Sequence, residues 1–223
     1  MNRIFHRSIV AFVVCALIAG AAFGHSHHHN KQQSASGHFD YYLMSLSWSP
    51  SYCATHPRDI TQCGKKGFGF VLHGLWPQYR NGSWPQHCPT RAAPDETTIE
   101  HTLAFMPSRS LIEHEWQTHG SCTGLDPSEY FAQADLAFAS VKIPFVLRAP
   151  QTPPTLSGND LIQSFMQVNP GLGKNMLSIA CHDGNELTEV RVCLNKDTLS
   201  PQACTGRVRN TCRYGNLHIP ATR

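Results

Sequence analysis

The chain has 223 residues, of which 41% are hydrophobic and 15% charged, with nine cysteines and a formal net charge of +3. That length supports one domain, or two small ones, around a real core, and the apolar fraction excludes a disordered chain. The small charge excludes a polybasic binder that holds nucleic acid by bulk attraction alone, and no apolar run beyond the N-terminus is long enough to span a bilayer.

Arg3 and Arg7 precede an apolar stretch from Ile9 to Ala22, and Ala22-Phe23-Gly24 is a small-residue cleavage pattern. Residues 1–24 therefore read as a secretory signal peptide. Its removal discards Arg3, Arg7 and Cys15, leaving 199 residues, a net charge of +1 and eight cysteines. An even count in an exported chain reads as four disulfides, although 105 pairings remain open. No CxxC pair occurs, which argues against thioredoxin-type chemistry and a zinc ribbon. Residues 25–37 are a His-rich polar linker. It is either simply solvated or a metal-capture tail: with cleavage after Gly24, the free amine of His25 and the imidazole of His27 would suit copper(II) or nickel(II).

The remainder, 38–223, reads as a single domain. Phe39 to Trp48 alternates, with Tyr42, Met44, Leu46 and Trp48 on one face and Tyr41, Ser45 and Ser47 on the other, which predicts a half-buried strand closed by Pro50. Phe68 to Leu72 predicts a second short strand running into His73. Ser108 is placed to cap a helix through Ser110–Trp116, stopped by Gly120. Asp126-Pro127-Ser128-Glu129 combines an N-cap, a proline at the first helical position and an acid in the first turn. Tyr130, Phe131, Ala134, Phe138 and Val141 then supply an apolar stripe. A Pro-rich connection, Ala149 to Pro154, reads as a surface loop. A helix follows from Ser157 to about Val168, and Leu187 to Leu194 predicts a strand. Strands and helices mix without a βαβ rhythm, so the fold class is α+β. Residues 191–223 carry six basic groups against one acid, a segment suited to a polyanion or to a solvated face.

Two stretches are dense in reactive groups: Leu72-His73-Gly74-Leu75-Trp76-Pro77 and His114-Glu115-Trp116-Gln117-Thr118-His119-Gly120. Zinc on a helix needs imidazoles at i and i+4. His114 and His119 are five apart, rotated by about 140°. Glu115 and His119 are i and i+4, which favours a carboxylate-oriented imidazole over a two-His metal site. With His73 from a separate strand, the parts for concerted acid–base catalysis are present. No Ser or Cys nucleophile is evident. A substrate that brings its own nucleophile, as the RNA 2′-hydroxyl does, fits this inventory, and Trp76 and Trp84 offer base-stacking surfaces.

Both segments closely resemble the paired active-site motifs of the ribonuclease T2 family of exported, acid-type endoribonucleases. The resemblance runs from the Tyr42–Trp48 strand to Cys212. It implies an α+β fold with an antiparallel sheet core packed with helices, and disulfides Cys53–Cys63, Cys88–Cys122, Cys181–Cys212 and Cys193–Cys204. It also implies a monomer, secreted or periplasmic, that cleaves single-stranded RNA with no cofactor, no required metal and no membrane anchor after signal cleavage. By likeness, His119 is the base that activates the 2′-hydroxyl and His73 the acid that protonates the departing 5′-oxygen. Glu115 would stabilise the phosphorane-like transition state, His114 would bind phosphate, and Trp76 would position the substrate. The product would be a 2′,3′-cyclic phosphate, slowly hydrolysed to a 3′-phosphate.

One position departs from the family pattern: Thr118 stands where a lysine usually precedes the final histidine. A lysine there would place charge against the developing oxyanion. Lys65, Lys66 and Arg109 are candidate substitutes in space. Ser47 and Gln78 are candidates for contacting a base, or they face solvent. The departure keeps an alternative in play, a secreted family member with weak or vestigial nuclease activity that acts as an RNA- or protein-binding factor.

Overall fold

The computed structural model describes residues 36–64 and 66–222. The expected signal peptide and nearly all of the His-rich linker, with the proposed metal ligands His25 and His27, lie outside the described residues, as do Lys65 and Arg223. The strands are β1 (Tyr41–Trp48), β2 (Phe70–Gln78), β3 (Leu177–His182) and β4 (Glu186–Asn195). The helices are α1 (Ser49–Thr55), α2 (Ile60–Cys63), α3 (Glu96–Thr102), α4 (Arg109–Thr118), α5 (Pro127–Ser140) and α6 (Gly158–Val168).

The strands form one antiparallel sheet in the order β2-β1-β4-β3. Register decides its two faces. Tyr42, Met44, Leu46 and Trp48 pair with apolar neighbours on β2 and β4, among them Leu75, Leu72, Val190 and Val192. This face meets Ile112 and Trp116 of α4, Tyr130 and Phe131 of α5 and Leu161 and Phe165 of α6 in the main core. The opposite face carries a smaller apolar cluster of Tyr41, Leu43 and Cys193, with Trp76 packed against it. Beyond that cluster the same face presents Ser45, Ser47, Glu189 and Arg191. β1 is therefore buried on both faces, not half-buried, because it is an interior strand covered on each side.

β2 extends well past the expected Leu72, through the whole first reactive motif to Gln78. Its ladder with β1 is irregular: Ser45 pairs with Gly74 and Leu46 with Leu72, so His73 is an unpaired extra residue, a β-bulge. The hydrophobic phase shifts accordingly. Leu72 and Leu75, three apart, both face the core, where strict alternation would put one of them on the other side.

The helix starts follow local chemistry. Asp126 and Ser157 each form a capping box at α5 and α6, and the Ser108 hydroxyl accepts from Leu111 N–H at α4. The α5 stripe buries Tyr130, Phe131, Ala134 and Ala137, while Phe138 is only partly buried and Val141 forms the C-cap. Disulfides join Cys53–Cys63, Cys88–Cys122, Cys181–Cys212 and Cys193–Cys204, the pairs that the family resemblance implies. No helix among the described residues is long and apolar enough to cross a membrane.

Candidate active site

The β2 bulge and the C-terminal end of α4 bring the two reactive motifs together. His73 and Gly74 are consecutive residues at the bulge, and Trp76 follows on the same side as Gly74. The Trp76 ring packs against both imidazoles, 5.1 Å from His73 and 5.4 Å from His119 between centroids. Its Nε1–H donates to Glu115 Oε2 at 2.7 Å, and Glu115 Oε1 lies 3.8 Å from His73 Nε2. Gly74 makes this contact possible, because a Cβ there would sit 2.1 Å from Glu115 Oε2 and 2.2 Å from Trp76 Nε1.

Glu115 does not orient His119, contrary to the i, i+4 expectation. His119 is the C-cap of α4, with φ −121° and ψ −52°, so its side chain leaves the helical face on which Glu115 lies. The carboxylate turns to Trp76 and His73 instead, while His119 N–H donates to the Glu115 carbonyl at 2.9 Å. A 3₁₀ turn, Gly120–Cys122, follows at once. A Cβ on Gly120 would come within 2.6 Å of Trp116 and 2.8 Å of Tyr130, so the chain can pass this close to the core only as glycine. The turn is tied by Cys88–Cys122 to the segment holding His87, whose φ of +52° is left-handed and whose N–H donates to the Thr118 carbonyl at 2.9 Å.

Environment separates the titrating groups. Burial drives His119 down to about 3, with the neighbouring His114, His73 and His87 acting the same way. For His73, burial works against the charged form, but its hydrogen bond to Glu189 and the charges of Glu115 and Glu189 outweigh it and raise the pKa above 6.5. Burial pushes Glu115 up to about 7 against the opposing pull of His73 and the Trp76 N–H. The two imidazoles are thus pushed in opposite directions, His119 toward its neutral form and His73 toward its charged form.

Two recesses flank the histidine pair. The one beside His73, about 360 Å³, is lined by Ser47, Tyr52, Ser110, His114, His182 and Glu189. The one beside His119, about 410 Å³, is lined by Trp76, Gln78, Trp84, Thr118, Arg191 and Arg207. His114 and Ser47 therefore sit on the His73 side, and Gln78, Trp84 and Thr118 on the His119 side. Gln78 is buried, with its amide donating to the Pro77 carbonyl at 3.1 Å. The Thr118 hydroxyl and His119 Nδ1 are buried with no hydrogen-bond partner among the described residues.

Of the expected stand-ins for the missing lysine, the two among the described residues, Arg109 and Lys66, are not here. Arg109 pairs with Glu96 and Glu113. Lys66 lines a separate recess with Cys53 and Cys63. The cations that share the recess with Thr118 are Arg191 and Arg207, of the basic C-terminal segment. Lys196 of that segment is engaged elsewhere, bonded to the Phe39 carbonyl with its ammonium over the Phe39 ring.

A model of the ribonuclease T2 family matches residues 39–204. The chain belongs to the ribonuclease T2 family. A curated ribonuclease from Aeromonas hydrophila is 37% identical over 180 residues, covering 78% of this chain and 80% of that one. A point mutant of RNase MC1 solved in complex with 5′-UMP is 25% identical, with a TM-score of 0.64 over 80% of this chain and 97% of that one. An RNase-related protein from Calystegia sepium shares the fold at 22% identity, with a TM-score of 0.65 over 83% of this chain and 98% of that one. This T2 ribonuclease is an endoribonuclease with an α+β, disulfide-linked fold.

Glu189, Arg191 and His87 were not singled out from the sequence as site residues. A signal existed for the first two. Within the predicted strand Leu187–Leu194, alternation places Glu189 and Arg191 together on the face opposite Val190 and Val192, a carboxylate and a guanidinium side by side on an interior strand.

Proposed function

We propose that this T2 ribonuclease cleaves single-stranded RNA by attack of the 2′-hydroxyl on the adjacent phosphorus. His119, neutral because it is buried, takes the 2′-hydroxyl proton as the new O2′–P bond forms. His73 gives its Nε2 proton to the 5′-oxygen as the P–O5′ bond breaks, leaving a 2′,3′-cyclic phosphate that water later opens to a 3′-phosphate. Glu115, with its raised pKa, shares a proton or hydrogen bond with a non-bridging oxygen, where charge accumulates. His114 contacts phosphate, Trp76 holds the substrate between the two imidazoles, and Trp84, Gln78 and Ser47 meet bases in the flanking recesses. The observation that carries this reading is the convergence of His73, His119 and Glu115 on one indole, with His73 hydrogen-bonded to a carboxylate that favours its charged form and His119 buried in a setting that favours its neutral one.

The chain supplies acid, base and electrophile from its own side chains, so the proposed route uses no metal. We infer export from the signal-like sequence of the N-terminal segment and from four disulfides, which persist in oxidising compartments. The test is degradation of total RNA by mature protein in EDTA across pH. kcat/KM should rise as His119 loses its proton near pH 3. It should fall as Glu115 loses its proton near pH 7 and as His73 loses its own above the ordinary histidine value. His73→Ala and His119→Ala should each abolish the activity. RNA that survives at every pH would leave the vestigial, binding-only alternative that Thr118 motivates.

A further inference from the structure

His73 is held from behind. Its Nδ1 lies 2.9 Å from Glu189 Oε1, and Arg191 grips the other carboxylate oxygen of Glu189 through Nε at 2.7 Å and a terminal nitrogen at 2.5 Å. This contact spans the sheet: His73 is on β2, Glu189 on β4, and β1 runs between them. Two strand spacings are about 9.6 Å, so the side chains meet only because β1 carries Ser45 and Ser47 at this level and the bulge tips His73 onto that face.

We propose that Glu189 is a positioning residue for the reaction: it fixes the His73 ring so that Nε2 carries the transferred proton, and Arg191 clamps Glu189 in that pose. The inference rests on the role of His73 proposed above. With Nδ1–H donating to Glu189, Nε2 is the nitrogen facing Glu115 and the cleft. Once Nε2 has given its proton to the 5′-oxygen, the neutral ring keeps its hydrogen on Nδ1 and a lone pair on Nε2. That tautomer can accept a proton from the water that opens the cyclic phosphate, so one contact serves both half-reactions.

Several groups besides Glu189 act on His73. Glu115 faces it from α4 at Nε2, Trp76 of β2 meets it edge-on, and His114 of α4 and His182 of β3 line the same recess. The Arg191 charge opposes protonation of His73 while its hydrogen bonds hold Glu189. The two β4 residues therefore have separable signatures.

The test is Glu189→Gln, in which the amide can either accept from Nδ1–H or donate to Nδ1 and no longer dictates the tautomer. kcat should fall by about 10- to 100-fold, with KM little changed. The alkaline limb of the pH profile should move down by about one unit, and the acid limb set by His119 should stay. Arg191→Gln should lower kcat without lowering that alkaline limb, and Glu189→Asp should restore the limb if it restores the contact. Nitrogen-15 NMR of His73 in the wild-type protein reads the tautomer without any activity. A neutral His73 protonated on Nε2 would overturn the proposal, as would an active Glu189→Gln enzyme with an unmoved alkaline limb. Full RNA cleavage by His73→Ala would instead overturn the role of His73, whatever the NMR shows.

Discussion

At the residue scale the site depends on what is missing as much as on what is present. Gly74 leaves room for the Trp76–Glu115 hydrogen bond, and even a methyl group would collide with both partners. Gly74→Ala should therefore cut kcat by about tenfold or more, in the range set by losing an oriented donor or acceptor at a reacting centre. Trp76 should become more mobile, which a fluorescence change would report alongside the kinetics. Thr118 is the complementary case, a hydroxyl with no hydrogen-bond partner among the described residues, in a recess that also holds Arg191 and Arg207. Thr118→Lys should raise turnover on a dinucleotide by on the order of 10²-fold. An unchanged rate would mean that one of those arginines already supplies the charge, and Arg207→Ala in the same assay would identify which.

At the element scale, how much was legible depended on whether the signal was local. α5 and α6 could be read because Asp126 and Ser157 carry their own start signals, three residues from an acid that answers them. The cost of losing such a cap is about 1 kcal/mol. Asp126→Ala should lower the stability measured by denaturant titration by that amount and leave kcat unchanged, since α5 contributes no reactive group. β3 escaped the reading because Leu177-Ser178-Ile179-Ala180 alternates over too few residues, and its place in the sheet is set by pairing with β4. α1, α2 and α3 are each seven residues or fewer, too short for a periodic pattern to show, although Asp59 and Asp95 cap α2 and α3; Cys53–Cys63 ties α1 to α2. The reactive residues His73, Glu115 and His119 were legible as chemistry in the two motifs. Their geometry was not: a helical spacing of four suggested that Glu115 faced His119, but the backbone turn at the end of α4 takes the His119 side chain off that face and leaves the carboxylate to Trp76 and His73.

For the whole molecule, the disulfides do different work in different places. Cys88–Cys122, closing 34 residues, anchors the His87 segment to the turn that immediately follows His119. Replacing both cysteines by serine should lower stability by about 2–5 kcal/mol and raise KM or lower kcat. The same change at Cys53–Cys63 should affect stability far more than the histidine pair; thermal melts with parallel kinetics would separate the two cases. The bulge on β2 has the widest consequence. Without His73, Leu72 and Gly74 would become consecutive, and every β1 partner would meet β2 in an unbroken ladder with its apolar side chains in phase. The shorter chain would make the more regular sheet. The residue proposed as the acid is thus the one that the β1–β2 pairing leaves out, an irregularity in the ladder that sets the imidazole free of the strand's own register.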